Sequence, residues 1–256
     1  METVPQPDAQ EAAKVEAASR RLPPEQEAQW HPGQTPFFNP EAGYSVTHAN
    51  LPHWRQDGTT YFVTFRLVDS LPRDRLDQWI LDREAWQTAH PEPWSEAEDA
   101  EYHARFSAVI EDWLDQGSGS CVLALPDCKS MVTDALRHFA GQRYQLGEFV
   151  VASNHVHVIL TPLSGHRLSG ILHSWKSFSA KQIIKLEPAA RRLEAWWHTL
   201  HQRRLVRARE EYPSRYDGVI FQRPVWQKES FDHLVRSAAS LHKFAEYIRN
   251  HREWGN

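Results

Sequence analysis

The stretch Gln145–Pro162, QLGEFVVASNHVHVILTP, decides how the rest of the chain is read. It holds two apolar, β-branched runs, QLGEFVVAS and HVHVILTP, separated only by a turn at Ser153-Asn154, and runs so closely linked predict an antiparallel hairpin. Side chains alternate across a strand, so Val156, Val158 and Leu160 share one face while His155 and His157 share the other. The valine face is the core side. The two imidazoles stand ~7 Å apart at their α-carbons by strand rise and can converge on one metal ion. The bland alternative is a pair of exposed histidines on an open sheet face, and His-x-His alone does not choose between the two.

Outward from this hairpin the pattern is mixed. YFVTFRLVD at 61–69 alternates Tyr61, Val63, Phe65 and Leu67 with Phe62, Thr64, Arg66 and Val68, which predicts a strand. Asp74–Ala89 and Ser95–Gln116 carry Trp, Leu, Ile and Phe at helical spacings, and MVTDALRHFAGQ at 131–142 reads as a further helix. Leu168–Leu186 is an amphipathic basic helix. A helix follows Pro188, a short strand is expected around Gly218–Gln227, and Ser237–Arg252 closes the chain as a helix. This order predicts an α+β domain, one antiparallel sheet covered by helices on one face.

With 256 residues, 41% of them hydrophobic, the chain can build one substantial core. No run approaches the ~18 apolar residues of a membrane span, and METVPQPDAQEAAKVEAASRR is acidic and polar where a signal peptide is basic then apolar. The expectation is a cytoplasmic protein with no membrane partner. Cys121 and Cys128 are too few for a disulfide framework and are read, with Met131, as structural. The Glu-, Gln-, Ala- and Pro-rich residues 1–34 are expected to be a disordered tail ahead of one domain at 35–256.

The formal charge of −4 conceals a division. Residues 61–128 hold 5 Lys/Arg against 14 Asp/Glu, whereas 165–209 hold 10 Lys/Arg against Glu187 and Glu194 alone. Such asymmetry points to polyanion contact by one part of the chain, with a solvated amphipathic helix as its rival. Lys176, Lys181 and Lys185 repeat along one helix, and Arg203, Arg204 and Arg207 form a second cluster. Trp175, Trp196 and Trp197 can stack on bases, although aromatics at helical spacing usually belong to a core.

In the last helix Leu241, Phe244, Ala245 and Ile248 form a buried stripe, with Tyr247 and His251 one turn apart on its flank. A boundary tyrosine beside a solvated histidine is the plain reading. The chemical reading joins this pair to His155 and His157. A phenol of pKa ~10 is a weak nucleophile at neutral pH, and a divalent cation held by imidazoles would polarise a phosphate and screen its developing charge.

In chain order, Tyr61–Pro72 (YFVTFRLVDSLP), Asn154–Pro162 (NHVHVILTP), Ser174–Lys176 (SWK) and Val225–Ile248 (VWQKESFDHLVRS…FAEYI) resemble the IS200-like single-tyrosine transposases of the HUH type. The REP-associated tyrosine transposase branch is the closer match. The resemblance spans roughly residues 35–252 and is weak over 71–128, which looks like a helical insertion. It implies a ferredoxin-like sheet, a divalent metal (Mg²⁺ or Mn²⁺), and cleavage and rejoining of single-stranded DNA at hairpin sites through a 5′-phosphotyrosine.

By that resemblance Tyr247 is the nucleophile and His155 and His157 are metal ligands. His251 stands where the family carries a Gln or Asn as third ligand, and three imidazoles favour Mn²⁺ or Zn²⁺ over Mg²⁺. Lys176 matches the SWK segment and joins Lys181, Lys185, Arg203, Arg204 and Arg207 as DNA contacts. The partner is single-stranded or hairpin DNA, met by a monomer or a homodimer. Two other classes compete: a domesticated hairpin-binding protein without cleavage, and a zinc-dependent hydrolase.

Overall fold

The computed structural model describes residues 35–48, 52–71, 73–91, 94–211 and 220–251. The tail reading of 1–34 lies outside the described residues. An antiparallel hairpin, β1 (Ser45–His48) and β2 (Pro52–Arg55), precedes the main sheet. That sheet has four strands in the order β4 (Tyr144–Val151), β5 (His155–Pro162), β3 (Tyr61–Arg66), β6 (Phe231–Leu234), each antiparallel to its neighbour. Between β3 and β4 runs α4 (Pro126–His138), and between β5 and β6 runs α5 (Leu168–Ile183). A strand-helix-strand pair repeated in this way, with its first and third strands central, is the ferredoxin-like arrangement.

The α4 and α5 face holds the larger core. Tyr61, Val63 and Phe65 of β3, Leu67 just after it, and Val156, Val158 and Leu160 of β5 meet Val132 and Leu136 of α4 and Ile171 and Trp175 of α5. Trp175 donates to the Tyr144 hydroxyl at 2.9 Å, and that hydroxyl donates to the Leu136 carbonyl at 2.8 Å, so the indole is a satisfied core group. Trp197 likewise sits in this core, on the long helix α6 (Glu187–Glu211), and donates to the Pro224 carbonyl at 2.8 Å. Neither indole presents a face to bases.

The α+β class and the antiparallel sheet are as expected, and α4 and α5 cover one face. The final helix, α7 (Ala238–Arg249), takes the other face, where its Leu241, Ala245 and Ile248 pack on Phe62 and Ile159. Ser237 and Ser240 close a capping box at its start. The histidine face of β5 is therefore covered, which corrects the open-face alternative. A second correction concerns the last strand. Residues 220–225 are irregular, Trp226 makes a single bridge to Leu67, and pairing with β3 falls instead on Phe231–Leu234.

Helices α1 (Arg73–Ala89), α2 (Glu96–Tyr102) and α3 (Ala108–Asp115), the last two joined by a π-helical turn at His103–Ser107, have a cluster of their own. Trp79, Trp86, Tyr102, Phe106, Ile110 and Leu114 form it, and Phe231 of β6 packs against it. Beyond α3, Gly119 has φ +93°, and a Cβ there would come within 2.4 Å of the Asp69 carbonyl oxygen, so only glycine fits. Ser120 N donates to Asp69 Oδ2 at 2.7 Å and Asn154 Nδ2 to the Ser118 carbonyl at 2.9 Å. These bonds tie the end of α3 to the mouth of the β4–β5 hairpin.

Candidate metal centre and nucleophile

The alternation of β5 turns His155 and His157 toward α7, and the helical repeat of α7 turns Tyr247 and, just past its last turn, His251 toward them. The three imidazoles cluster, with ring centroids 4.5 Å apart for His155–His157, 5.1 Å for His155–His251 and 5.3 Å for His157–His251. The Tyr247 hydroxyl stands 3.4 Å from His157 Nε2. Asp115, the last residue of α3, completes the group: its Oδ1 lies 3.6 Å from His155 Nε2 and 3.7 Å from His251 Nδ1. One ligand atom from each of Asp115, His155, His157 and His251 falls within 4.8 Å of the others.

The hydrogen bonds around the histidines fix the orientation of their rings. Asn154 donates through Nδ2 to Ser118, so its Oδ1 accepts from His155 Nδ1 at 2.7 Å, leaving the His155 Nε2 lone pair toward the cluster. His157 bonds Thr64 Oγ1 through Nδ1 at 2.7 Å, which likewise turns Nε2 inward. Burial holds the His155 imidazole down to about 3, helped by neighbouring His251. His157 is pushed well below its ordinary value by burial, then by His155 and His251. Both are neutral at physiological pH, the form that ligates metal.

A metal fits this set. His155 Nε2 and Asp115 Oδ1 are buried and make no hydrogen bond, and two such atoms facing one another are costly unless something lies between them. Three imidazoles and one carboxylate suit Mn²⁺ or Zn²⁺ better than Mg²⁺, which prefers oxygen donors.

The acids near Tyr247 act on its phenol. Burial raises its pKa far above the ordinary value, the Glu111 and Asp115 charges add to this, and the hydrogen bond to Asp115 would be lost on ionisation. Burial raises Asp115 to about 6, with Asp112 adding and the Tyr247 bond opposing. Burial raises Glu111 to about 7, with Asp115 adding and Lys243 opposing.

Glu111 sits above its unfolded value of ~4.3, so the unfolded chain is the more ionised and Glu111 costs stability above pH ~4.3, most fully above about 7. The buried histidines have the opposite sign, since their stability is lost as pH falls through ~6.5. In metal-free protein Glu111→Gln is therefore expected to raise the melting temperature at pH 8, with the gain fading by pH 5. Thermal unfolding across that range measures it.

The basic residues separate into two kinds. Lys176 is engaged within the protein, where its ammonium donates to the carbonyls of Gln227, Lys228 and Glu229 and to Ser230 Oγ at 2.7–3.2 Å. Four oxygens already surround three N–H donors. Burial, and then Arg66, lowers this lysine to about 8. It braces the 227–230 loop, a role its place in a basic helix does not announce. Lys181, Lys185, Arg203 and Arg207 are exposed and Arg204 is half-buried, with Arg207 paired to Glu211 at 2.6 Å.

Asp115 is the site residue that sequence reasoning missed. It lies 40 residues before His155, inside the segment read as an insertion, and no spacing links it to any histidine. Among the described residues no helix is long and apolar enough to cross a membrane.

No family model matches this chain, and no curated protein matches it either. A solved structure of a REP-associated tyrosine transposase bound to a REP hairpin is similar at 13% identity and a TM-score of 0.36, covering 77% of this chain and 70% of that one. A likeness this slight carries no argument about activity, which must come from the site itself.

Proposed function

We propose that this chain is a metal-dependent single-tyrosine endonuclease or transposase that cleaves and rejoins single-stranded DNA at hairpin sites. The observation that carries the reading is the Tyr247 hydroxyl at 3.4 Å from a neutral imidazole of a buried His₃Asp cluster. Tyr247 Oη attacks phosphorus, a Tyr–O–P bond forms, the P–O3′ bond breaks, and the phenolic proton ends on the released 3′-oxygen. The chain keeps the 5′-phosphate, and the reverse attack by a 3′-hydroxyl rejoins the strand. His155, His157, His251 and Asp115 would hold a divalent ion, which would supply charge neutralisation at the phosphate.

The transposase domain in this reading is 35–256, with 71–128 inserted in it, and Lys181, Lys185, Arg203, Arg204 and Arg207 hold the DNA backbone. Taking away one cationic partner of a single-strand phosphate lowers the slope of log K against log salt by about 0.7. Arg203→Ala and Lys181→Ala are expected to do this in fluorescence anisotropy titrations. Lys176→Met is expected to lower the melting temperature and leave the slope alone.

The deciding experiment incubates the protein with labelled hairpin DNA bearing a single-stranded flank, with Mn²⁺. A denaturation-resistant adduct supports the reading, and its absence under Mn²⁺, Mg²⁺ and Zn²⁺ overturns it. The donor set also suits a zinc hydrolase, which multiple-turnover cleavage without an adduct would select. Hairpin binding without nicking would select a domesticated DNA-binding protein.

A further inference from the structure

The candidate centre is nearly sealed. The His155, His157 and His251 side chains are 1%, 0% and 1% exposed, whereas Asp115 keeps 22%. Asp115 is thus the cluster residue whose side chain reaches solvent, although its Oδ1, the atom facing His155 and His251, is buried. A carboxylate oxygen and a phosphodiester oxygen are the same kind of ligand to a divalent ion: hard, anionic and monodentate.

On the functional reading above, we infer that Asp115 occupies the ligand position that the scissile phosphate must take, so that the folded chain is a closed state which DNA opens by displacing Asp115. On a four-coordinate ion such as Zn²⁺, four protein ligands would fill every position, whereas catalytic sites keep one for substrate; on a six-coordinate ion such as Mn²⁺, Asp115 would still hold one of the positions open to an anionic oxygen.

The plug sits on a unit with a core of its own. Helices α1–α3 have their own apolar cluster and meet the sheet through Phe231 and the Asp69–Ser120 and Asn154–Ser118 bonds. Residues 73–115 hold 12 Asp/Glu against 4 Lys/Arg, so this layer also repels a DNA backbone while it is docked.

The test measures two affinities on the full chain. Mn²⁺ binding is followed by electron paramagnetic resonance, and binding of single-stranded hairpin DNA at saturating Mn²⁺ by anisotropy, for wild type, Asp115→Asn and the exposed control Asp112→Asn. Asp115→Asn is expected to weaken Mn²⁺ by about 10-fold or more, the loss typical of a disturbed metal shell, and yet to tighten DNA. Asp112→Asn should do neither, and Asp115→Ala, which has no ligating oxygen at all, should repeat the Asn result.

The proposal is overturned if Mn²⁺ affinity is unchanged, if metal and DNA affinity fall together, or if Asp112→Asn tightens DNA equally through simple charge relief. Failure of every form to bind DNA overturns the functional reading and the plug with it. That outcome differs visibly from the others, in which DNA binds.

Discussion

Tyr247→Phe is expected to abolish the covalent protein–DNA adduct entirely while leaving Mn²⁺ binding within a few-fold of wild type. The substitution deletes one oxygen. The ring keeps its edge contact with Phe62, at 6.3 Å between centroids, and its place beside His157, so the packing of α7 on the sheet survives. The hydroxyl itself interacts only at the cluster, where its single hydrogen serves either Asp115 or His157 Nε2. Removing that one hydrogen bond alters stability by about 1 kcal/mol in either direction, whereas the chemistry loses its nucleophile. Denaturing gel electrophoresis with labelled hairpin DNA reads the adduct, and thermal unfolding confirms the fold. An adduct of undiminished yield in Tyr247→Phe would assign the nucleophile to another residue.

His157→Ala should remove metal binding and destabilise the fold together. Its imidazole is the most buried member of the cluster, stacks on Phe62 at 5.5 Å between centroids and bonds Thr64 at 2.7 Å. Truncation leaves a cavity between β5 and α7 and strands the buried Thr64 hydroxyl, at a cost of about 2–4 kcal/mol. Mn²⁺ affinity should fall by about 100-fold or more, since a ligand is removed outright where a supporting group alone costs about 10–100-fold. Calorimetric titration measures the metal and urea unfolding the stability. His251→Ala separates the two effects, because that residue lies past the last turn of α7 and outside the apolar cluster around Phe62 and Ile159, and its removal should weaken metal with a smaller change in stability.

Where the pattern was local, the sequence could be read. The alternation of 155–160 placed two histidines on the face opposite Val156 and Val158, and the repeat of 241–251 placed Tyr247 and His251 on the flank of a buried stripe; both placements depend only on strand and helix periods. The aromatic residues Trp175 and Trp197 were rightly weighed toward the core. What a local pattern does not hold is the partner across a gap. The histidine face could be open or covered, and α7 decides that by laying Leu241, Ala245 and Ile248 on Phe62 and Ile159. Lys176 in a basic helix looks like a phosphate contact, yet it faces a loop about 50 residues later that offers four oxygens. A charge count sees the ammonium and not its neighbours.

The sequence by itself determined three of the four sheet strands, the His-x-His strand among them, the tyrosine helix and the separation of acidic from basic segments, because periodicity and composition act over a few residues. The tertiary structure alone decided that these parts form one centre and that Asp115 belongs to it. That residue reaches the cluster only because Gly119 allows a turn no other side chain permits, and because Asn154 bonds both the Ser118 carbonyl after α3 and His155. Ligands drawn from a helix end, a strand and a helix terminus share no spacing, and proximity in space is what makes them ligands.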